Sequence, residues 1–421
     1  MDGDPTHDLE EGFLESQYSR LSLLKRAGVA GLAISGSGAL LGALRTPNAS
    51  ALGVFEDASI VPTLPKAVQQ YYELATTTPL GESIFRKWKP KNGPPWKLGF
   101  SSSFAGNTWR IGARTRLQTV MLPTYKKAGL VSEVITTESN LVMATQIQQI
   151  RQLVDQGVDA IFTIGAAPTA LNSVIKYAYD HGVLFVAIQG GVTSPYALQT
   201  SGNYALAGKM QGQSLGESMG GKGNVLVVQG ITQATASADF ERGHHIGLSK
   251  YPGIKIVGTV AGSWVDAQAK TQVLQFLATH PQPLGGIASQ SPGDLGALSA
   301  LQQTGRKIVP ITAGGELGPL AYWRDHSTWI KEMYQSWPPG DEMQYGFEAM
   351  MRTLEGQGPK IASILIGPGP TSYQEVLKML PKGTNYTNNQ WLEPPITEWF
   401  PPKTMDMYFD KPHDPLTWKK A

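Results

Sequence analysis

The feature that most constrains this chain is an alternation. From Trp96 onward, short apolar runs of strand length take turns with longer segments whose apolar residues recur at helical spacing, separated by Gly, Pro, Asn or Asp. The runs are Lys97 to Ser101, Val131 to Thr136, Ala160 to Ile164, Leu184 to Ile188, Val225 to Val228, Lys255 to Val260, Gly286 to Ala288 and Ile308 to Thr312. Between them lie amphipathic stretches such as Asn140 to Gln156, where Met143, Ile147, Ile150 and Val154 share one helical face. A strand followed by a returning helix pairs in parallel with the next strand, and a parallel sheet must be covered on both faces. The chain is therefore predicted to be α/β. A closed barrel of strands and helices has the same alternation, so the pattern alone leaves two architectures open.

Length favours division. A chain of 421 residues exceeds the roughly 250 to 300 residues at which single cores stop growing, and two lobes with appendages are expected. The formal charge of +2 lacks the concentrated Lys/Arg face that nucleic acid requires, so no nucleic-acid partner is expected. The absence of Cys excludes disulfides, thiolate metal sites, a cysteine nucleophile and a lipidated N-terminal cysteine. Seven His leave a His/carboxylate metal site to be judged by spacing. The best cluster is Asp239 to His245, where Glu241 and His245 lie one helical turn apart; it is not His-Glu-x-x-His, and the adjacent His244 and His245 point to different faces. Gly220 to Asn224 precedes a strand and reads as a turn, and no nucleophile elbow, phosphate loop or dinucleotide fingerprint occurs. No enzymatic activity, cofactor or metal is expected.

The first fifty residues read as an address. Six acids lie between Met1 and Glu15, then Arg20, Lys25 and Arg26 lead into the glycine-diluted apolar stretch Ala27 to Ala43, which is the order of a signal peptide. Ser19 to Lys25 resembles a twin-arginine export motif whose second Arg is replaced by Leu, and Ala49-Ser50-Ala51 supplies a small-x-small cleavage pattern. The expectation is export with cleavage near Ala51, giving a periplasmic or extracellular protein. Residues 52–95 follow as an extension with a short helix over Pro65 to Ala75 and a Lys/Pro/Gly-rich linker from Lys87 to Pro95.

One group of segments resembles a known family. The stretch Gln148 to Phe162, His181 to Ile188, Asn203 to Gly208, Val227 to Gly230, Phe240 to Gly243, Leu295 to Leu298 and Leu301 to Gly305 are similar, in order and spacing, to the periplasmic sugar-binding proteins related to ribose-binding protein. The same segments have local reasons: Gly157 and Gly182 can end helices in the left-handed region, and Asn203 can cap one.

The resemblance implies a type I periplasmic binding fold: two Rossmann-like lobes with parallel sheets, joined by a hinge that the chain crosses three times. Lobe one would comprise 96–201 plus 336–364, lobe two 202–335 plus 365–380, and 381–421 would be a C-terminal strap. The carboxyl ends of both sheets would face one cleft. By resemblance the cleft residues are Asn107, Trp109, Gln189, Phe240, Trp264, Gln290, Glu316 and Gln335, with Arg110 left on the lobe surface. Gln189-Gly190 stands where the family commonly has Asp-Arg, and Phe240 where ribose-type members have Arg. That substitution of charge by amide and aromatic implies a small neutral carbohydrate or polyol. The resemblance further implies a monomer that delivers its ligand to the membrane permease of an ABC transporter. A chemoreceptor or kinase would read the same closed surface, so a sensory role stands as the alternative, as does a non-sugar ligand. A transcription regulator of the same fold would carry a helix-turn-helix before the first strand, where this chain has its linker.

Overall fold

The apolar runs become strands because β-branched and aromatic residues tolerate burial on both faces of a parallel sheet, while the turn residues between them start and stop the helices. The computed structural model describes residues 59–417, apart from 166, 190, 336–337 and 394–401; the expected signal and cleavage site lie outside the described residues. Along the chain come β1 (Trp96–Ser102), α1 (Thr108–Arg116), α2 (Leu122–Lys127), β2 (Val131–Glu138), α3 (Met143–Asp155), β3 (Ala160–Ile164), α4 (Asn172–Asp180), β4 (Leu184–Ile188) and β5 (Leu198–Gly202). There follow α5 (Tyr204–Ser218), β6 (Lys222–Gln229), α6 (Thr235–Leu248), β7 (Gly253–Ala261), α7 (Asp266–Thr279), β8 (Gly286–Ser289), α8 (Asp294–Gln303) and α9 (Leu317–Asp325). Last are β9 (Met333–Gln335), α10 (Pro339–Leu354), β10 (Ser363–Ile366), β11 (Gly369–Thr371) and α11 (Tyr373–Met379).

The strands form two parallel sheets, not one barrel. The larger has six strands in the order β10-β5-β4-β3-β1-β2, and the smaller three in the order β7-β6-β8. Each has its own buried core, with Phe100, Phe162, Val186 and Phe347 among the residues of lobe one and Leu226, Val273, Ile287 and Leu298 among those of lobe two. A short antiparallel pair, β9 with β11, lies between the crossings. Gly157 and Gly182 take φ of 74° and 70°, the left-handed geometry expected where each helix turns into a strand.

Three expectations need correction. The run Ile308 to Thr312 makes a single parallel bridge, Ile287 to Ile311, rather than a strand. Pro310 has no N–H to extend the ladder, although its carbonyl accepts from Ile287 N at 2.9 Å. β5 was not anticipated because its sequence, Leu-Gln-Thr-Ser-Gly, is mostly polar; it is nevertheless buried, and Gln199 satisfies its amide by bonding both the N–H and the carbonyl of Val192. Leu365 and Ile366, expected in lobe two, belong to β10 of the large sheet, so the third crossing follows Ile366.

The helix pair α5 and α6 builds one face of lobe two at very short range. A Cβ on Gly208 would stand 2.4 Å from the carbonyl oxygen of Phe240, and one on Gly243 would stand 2.3 Å from that of Ala205, so both positions require glycine. This contact brings the Tyr204 and Phe240 rings to 5.0 Å. The C-terminal residues touch both lobes. Gln390 and Asn388 accept hydrogen bonds from Leu317 and Gly318, whereas Tyr408 and Phe409 are buried in the core of lobe one. Trp399, Phe400 and Trp418, which the sequence places on this strap, lie outside the described residues.

Candidate functional site

In a parallel sheet, side chains just past the carboxyl ends of the strands face open space rather than the next strand, so functional groups collect there. Two adjoining narrow hollows, which share Arg110, Gln189, Ala236 and Trp264, open at that edge of both sheets. Lobe one contributes Asn107, Trp109 and Arg110 after β1, Gly165 and Ala167 after β3, and Gln189, Gly191 and Val192 after β4. Lobe two contributes Tyr204, Ala234 to Ala236, Phe240, Trp264, Ser291 and Pro292. The walls touch directly where Thr235 Oγ1 donates to the Gly191 carbonyl at 3.2 Å.

Five expected residues meet here: Asn107, Trp109, Gln189, Phe240 and Trp264. Asn107 also caps α1, its Oδ1 accepting from Arg110 N at 2.8 Å. Gln189 and Trp264 hold φ of 54° and 58°, a region uncommon for residues with a Cβ. Trp264 packs so closely on Gly230 that a Cβ there would approach the indole to 2.1 Å.

A match to the periplasmic binding protein domain model covers residues 98–358, well over half of the chain. The chain belongs to this family. It is 28% identical over 192 residues to a xylitol-binding protein of Mycolicibacterium smegmatis, an alignment covering 45% of this chain and 55%, about half, of that relative. Over 221 residues it is 25% identical to a galactofuranose-binding protein of Escherichia coli, covering 51% of this chain and 68% of the relative. The fold is similar to that of an ABC transporter solute-binding protein from Thermobispora bispora, with a TM-score of 0.62, 24% identity, and coverage of 70% of this chain and 92% of that one.

Within this member of the family, two expected ligand contacts are consumed by lobe two itself. Gln290 lines neither hollow: its Oε1 accepts from Gly230 N and Ser237 Oγ, both at 2.8 Å, and its Nε2 donates to the Ser237 carbonyl at 2.8 Å. Glu316 is fully buried behind the wall, where its Oε2 accepts from the N–H groups of Gly293, Asp294 and Leu295 at 3.0–3.2 Å and so caps α8. A carboxyl beneath the first turn of a helix meets three otherwise orphaned donors, which is why it points there and not into the cleft. Burial, then the neighbouring Asp266 and Asp294, push the Glu316 carboxyl well above its ordinary range, and burial raises Asp294 to about 7. Gln335 ends β9 opposite Gly369, and its side chain lies outside the described residues.

Arg110 corrects the sequence reading in the other direction. Expected on the lobe surface, it is 6% exposed and lines both hollows. Its Nη1 donates to Ser103 Oγ, the Phe104 carbonyl and the Ile164 carbonyl at 3.1–3.2 Å, and its Nη2 reaches the Gly165 carbonyl at 3.5 Å. All four partners are neutral, and burial lowers the guanidinium to about 10, which leaves it charged near neutrality. No Asp or Glu is among the residues lining the two hollows. Tyr204, also missed, follows the Asn203 cap and donates to buried Glu342 at 2.9 Å, linking lobe two to α10 of lobe one. Burial raises Glu342 to about 8. The only prior signal for Tyr204 was its place directly after a helix cap at a lobe crossing.

Glu241 and His245 face each other across one turn of α6. Their nearest atoms are 4.0 Å apart, and Glu241 is already bonded to Gln229. Among the described residues no three His or carboxylate side chains converge to hold a metal, and no helix is long and apolar enough to cross a membrane.

Proposed function

We propose that this chain is an exported, monomeric receptor that encloses a small carbohydrate or polyol between its lobes and delivers it to the permease of an ABC transporter. The observation that carries the reading is the opposition of two unlike walls. Trp264, Phe240 and Tyr204 offer apolar faces to C–H surface, while Asn107, Gln189 and Arg110 offer hydrogen-bonding groups to hydroxyls. Hydroxyls left unmatched among such groups are costly, so the amides and the guanidinium confer selectivity. The names of the two relatives, binders of xylitol and of galactofuranose, point to the same chemical class. Ligand contact is assigned to those five expected residues together with Arg110 and Tyr204.

The test is thermal denaturation and calorimetry of the purified protein against xylitol, other polyols, pentoses and hexoses. A ligand bound only by the folded, closed form adds about 2.7 kcal/mol of stability at a hundredfold excess over its Kd. A stabilising carbohydrate recovered unchanged supports the reading. If amino acids, nucleosides or aromatic acids stabilise the protein and no carbohydrate does, the ligand class is wrong; chemical conversion of the bound molecule overturns the receptor assignment.

A further inference from the structure

Residues 59–97 precede the segment matched by the family model, and part of this stretch is bonded to both lobes. On lobe one, Tyr72 Oη donates to the Ser363 carbonyl at 2.8 Å and accepts from Leu365 N at 3.3 Å, and Thr78 Oγ1 meets Ser363 Oγ at 2.6 Å. On lobe two, Glu73 pairs with Lys209 of α5, the Leu74 carbonyl accepts from Arg242 Nη2 at 2.7 Å, and Thr77 Oγ1 donates to Asp239 Oδ2 at 2.6 Å. Asp239 and Arg242 are themselves paired at 2.9 Å. Between them on α6 sits Phe240, a residue of the cleft wall.

The same segment covers two of the crossings. Asn203 Nδ2 donates to the carbonyls of Tyr71 and Glu73 at 2.8 and 2.7 Å, while its Oδ1 caps α5. A Cβ on Gly367 would stand 2.4 Å from the Tyr71 ring, so that ring lies directly on the third crossing.

We propose that Tyr71 to Thr78 is a positioning strap, anchored on β10, that holds α6 and its Phe240 wall against lobe one and thereby sets how long the cleft stays closed. The geometry leaves α6 two ways to swing out: break Thr77–Asp239 and Arg242–Leu74, or drag the strap off Ser363. Either adds to the barrier of opening beyond what the ligand contributes. The Thr77 carbonyl lies beside Gly191 of the cleft, 3.7 Å from where a Cβ there would stand, but the strap's hydrogen bonds and ion pair to the helices of lobe two end on Lys209, Asp239 and Arg242, none of them a lining residue, so it acts through α6. The effect on ligand retention rests on the binding role proposed above; the effect on lobe separation does not.

The experiment compares wild type with Thr77→Val, Arg242→Gln and the double variant, using Thr77→Ser as the conservative rescue. Small-angle scattering of ligand-free protein reads lobe separation, and stopped-flow release of xylitol, or of whichever carbohydrate from the panel binds, reads retention. The double variant is expected to show a larger radius of gyration without ligand and release about ten times faster, since two hydrogen bonds of ordinary net strength are lost. Thr77→Ser should restore both. Unchanged scattering in a double variant with wild-type circular dichroism and melting would overturn the strap. If Arg242→Gln fails to fold, Thr77→Val decides by the same two readouts. If no carbohydrate binds, the proposed function fails while ligand-free scattering still judges the strap.

Discussion

The two walls of the cleft solve opposite problems. Lobe one presents polar groups held by its own backbone: Arg110 is fixed by the carbonyls of Phe104, Ile164 and Gly165, and Asn107 by the helix it caps. Lobe two presents Tyr204, Phe240 and Trp264 and turns its acids inward, with Glu316 and Asp294 bonded to backbone N–H groups behind the wall. Under the proposed binding role, directional recognition falls to the lobe with the larger sheet, which adds the single ring of Trp109, and shape to the lobe whose helices approach most closely. A wall of hydrogen-bonding groups has to be rigid to discriminate, whereas an aromatic wall can be carried on a moving lobe, because apolar contact is not directional.

The largest expected effect is that of pH. Burial raises Asp294 and Asp341 to about 7 and Glu342 to about 8, all above their unfolded values near 4. Carboxyls raised on folding favour the protonated native state, so their stabilisation is complete below about pH 4 and is lost as pH rises through 7 to 8. Melting temperature should fall by roughly 10 °C between pH 6 and pH 9. Glu342→Gln is expected to flatten that slope more than Asp294→Asn, because Glu342 is raised further, to about 8 against about 7, and so goes on losing stabilisation over more of this range. The reverse ranking would move the alkali-sensitive element from α10 of lobe one to the acid cluster of lobe two.

Next in size is Gly243→Val. With a Cβ 2.3 Å from the Ala205 carbonyl, α5 and α6 must part, at a cost of about 3 kcal/mol. Chemical denaturation should show the loss, and an unaltered midpoint would mean that the aromatic wall does not depend on this close contact.

Trp264→Ala removes the largest ring shared by both hollows. Affinity is expected to weaken about 100-fold, by similar factors for every carbohydrate that binds, because the lost contact is apolar. Arg110→Met should have the smallest effect on mean affinity, about tenfold, but should compress the differences between isomers and between a sugar and its deoxy analogue. Calorimetry across a sugar panel distinguishes the two patterns. Equal loss of discrimination in both variants would erase the division of labour between the walls.

Much of this was legible in the sequence. The alternation of runs and helices, the glycines at 157 and 182 and the Asn203 cap depend on local period or on a residue's own conformational range, whereas Trp109, Phe240 and Trp264 were placed beside the cleft by the family resemblance alone. β5 was illegible because its five residues carry no apolar period; only neighbours on both sides, β4 and β10, make it a strand.

The sequence by itself determined that the chain alternates strand and helix, that it is long enough for two cores, and that aromatics and amides follow its strands. Tertiary structure alone decided where the charges point. Arg110 stands next to Trp109 on α1 yet turns under lobe one, because two of the three carbonyls that hold it come from β3 and its following loop, more than fifty residues away. Glu316 leaves the cleft because the first turn of α8, more than twenty residues earlier in the chain, exposes three donors beside it. A hydrogen-bonding group goes where its unmatched partners are, and those partners are assembled only when the fold closes.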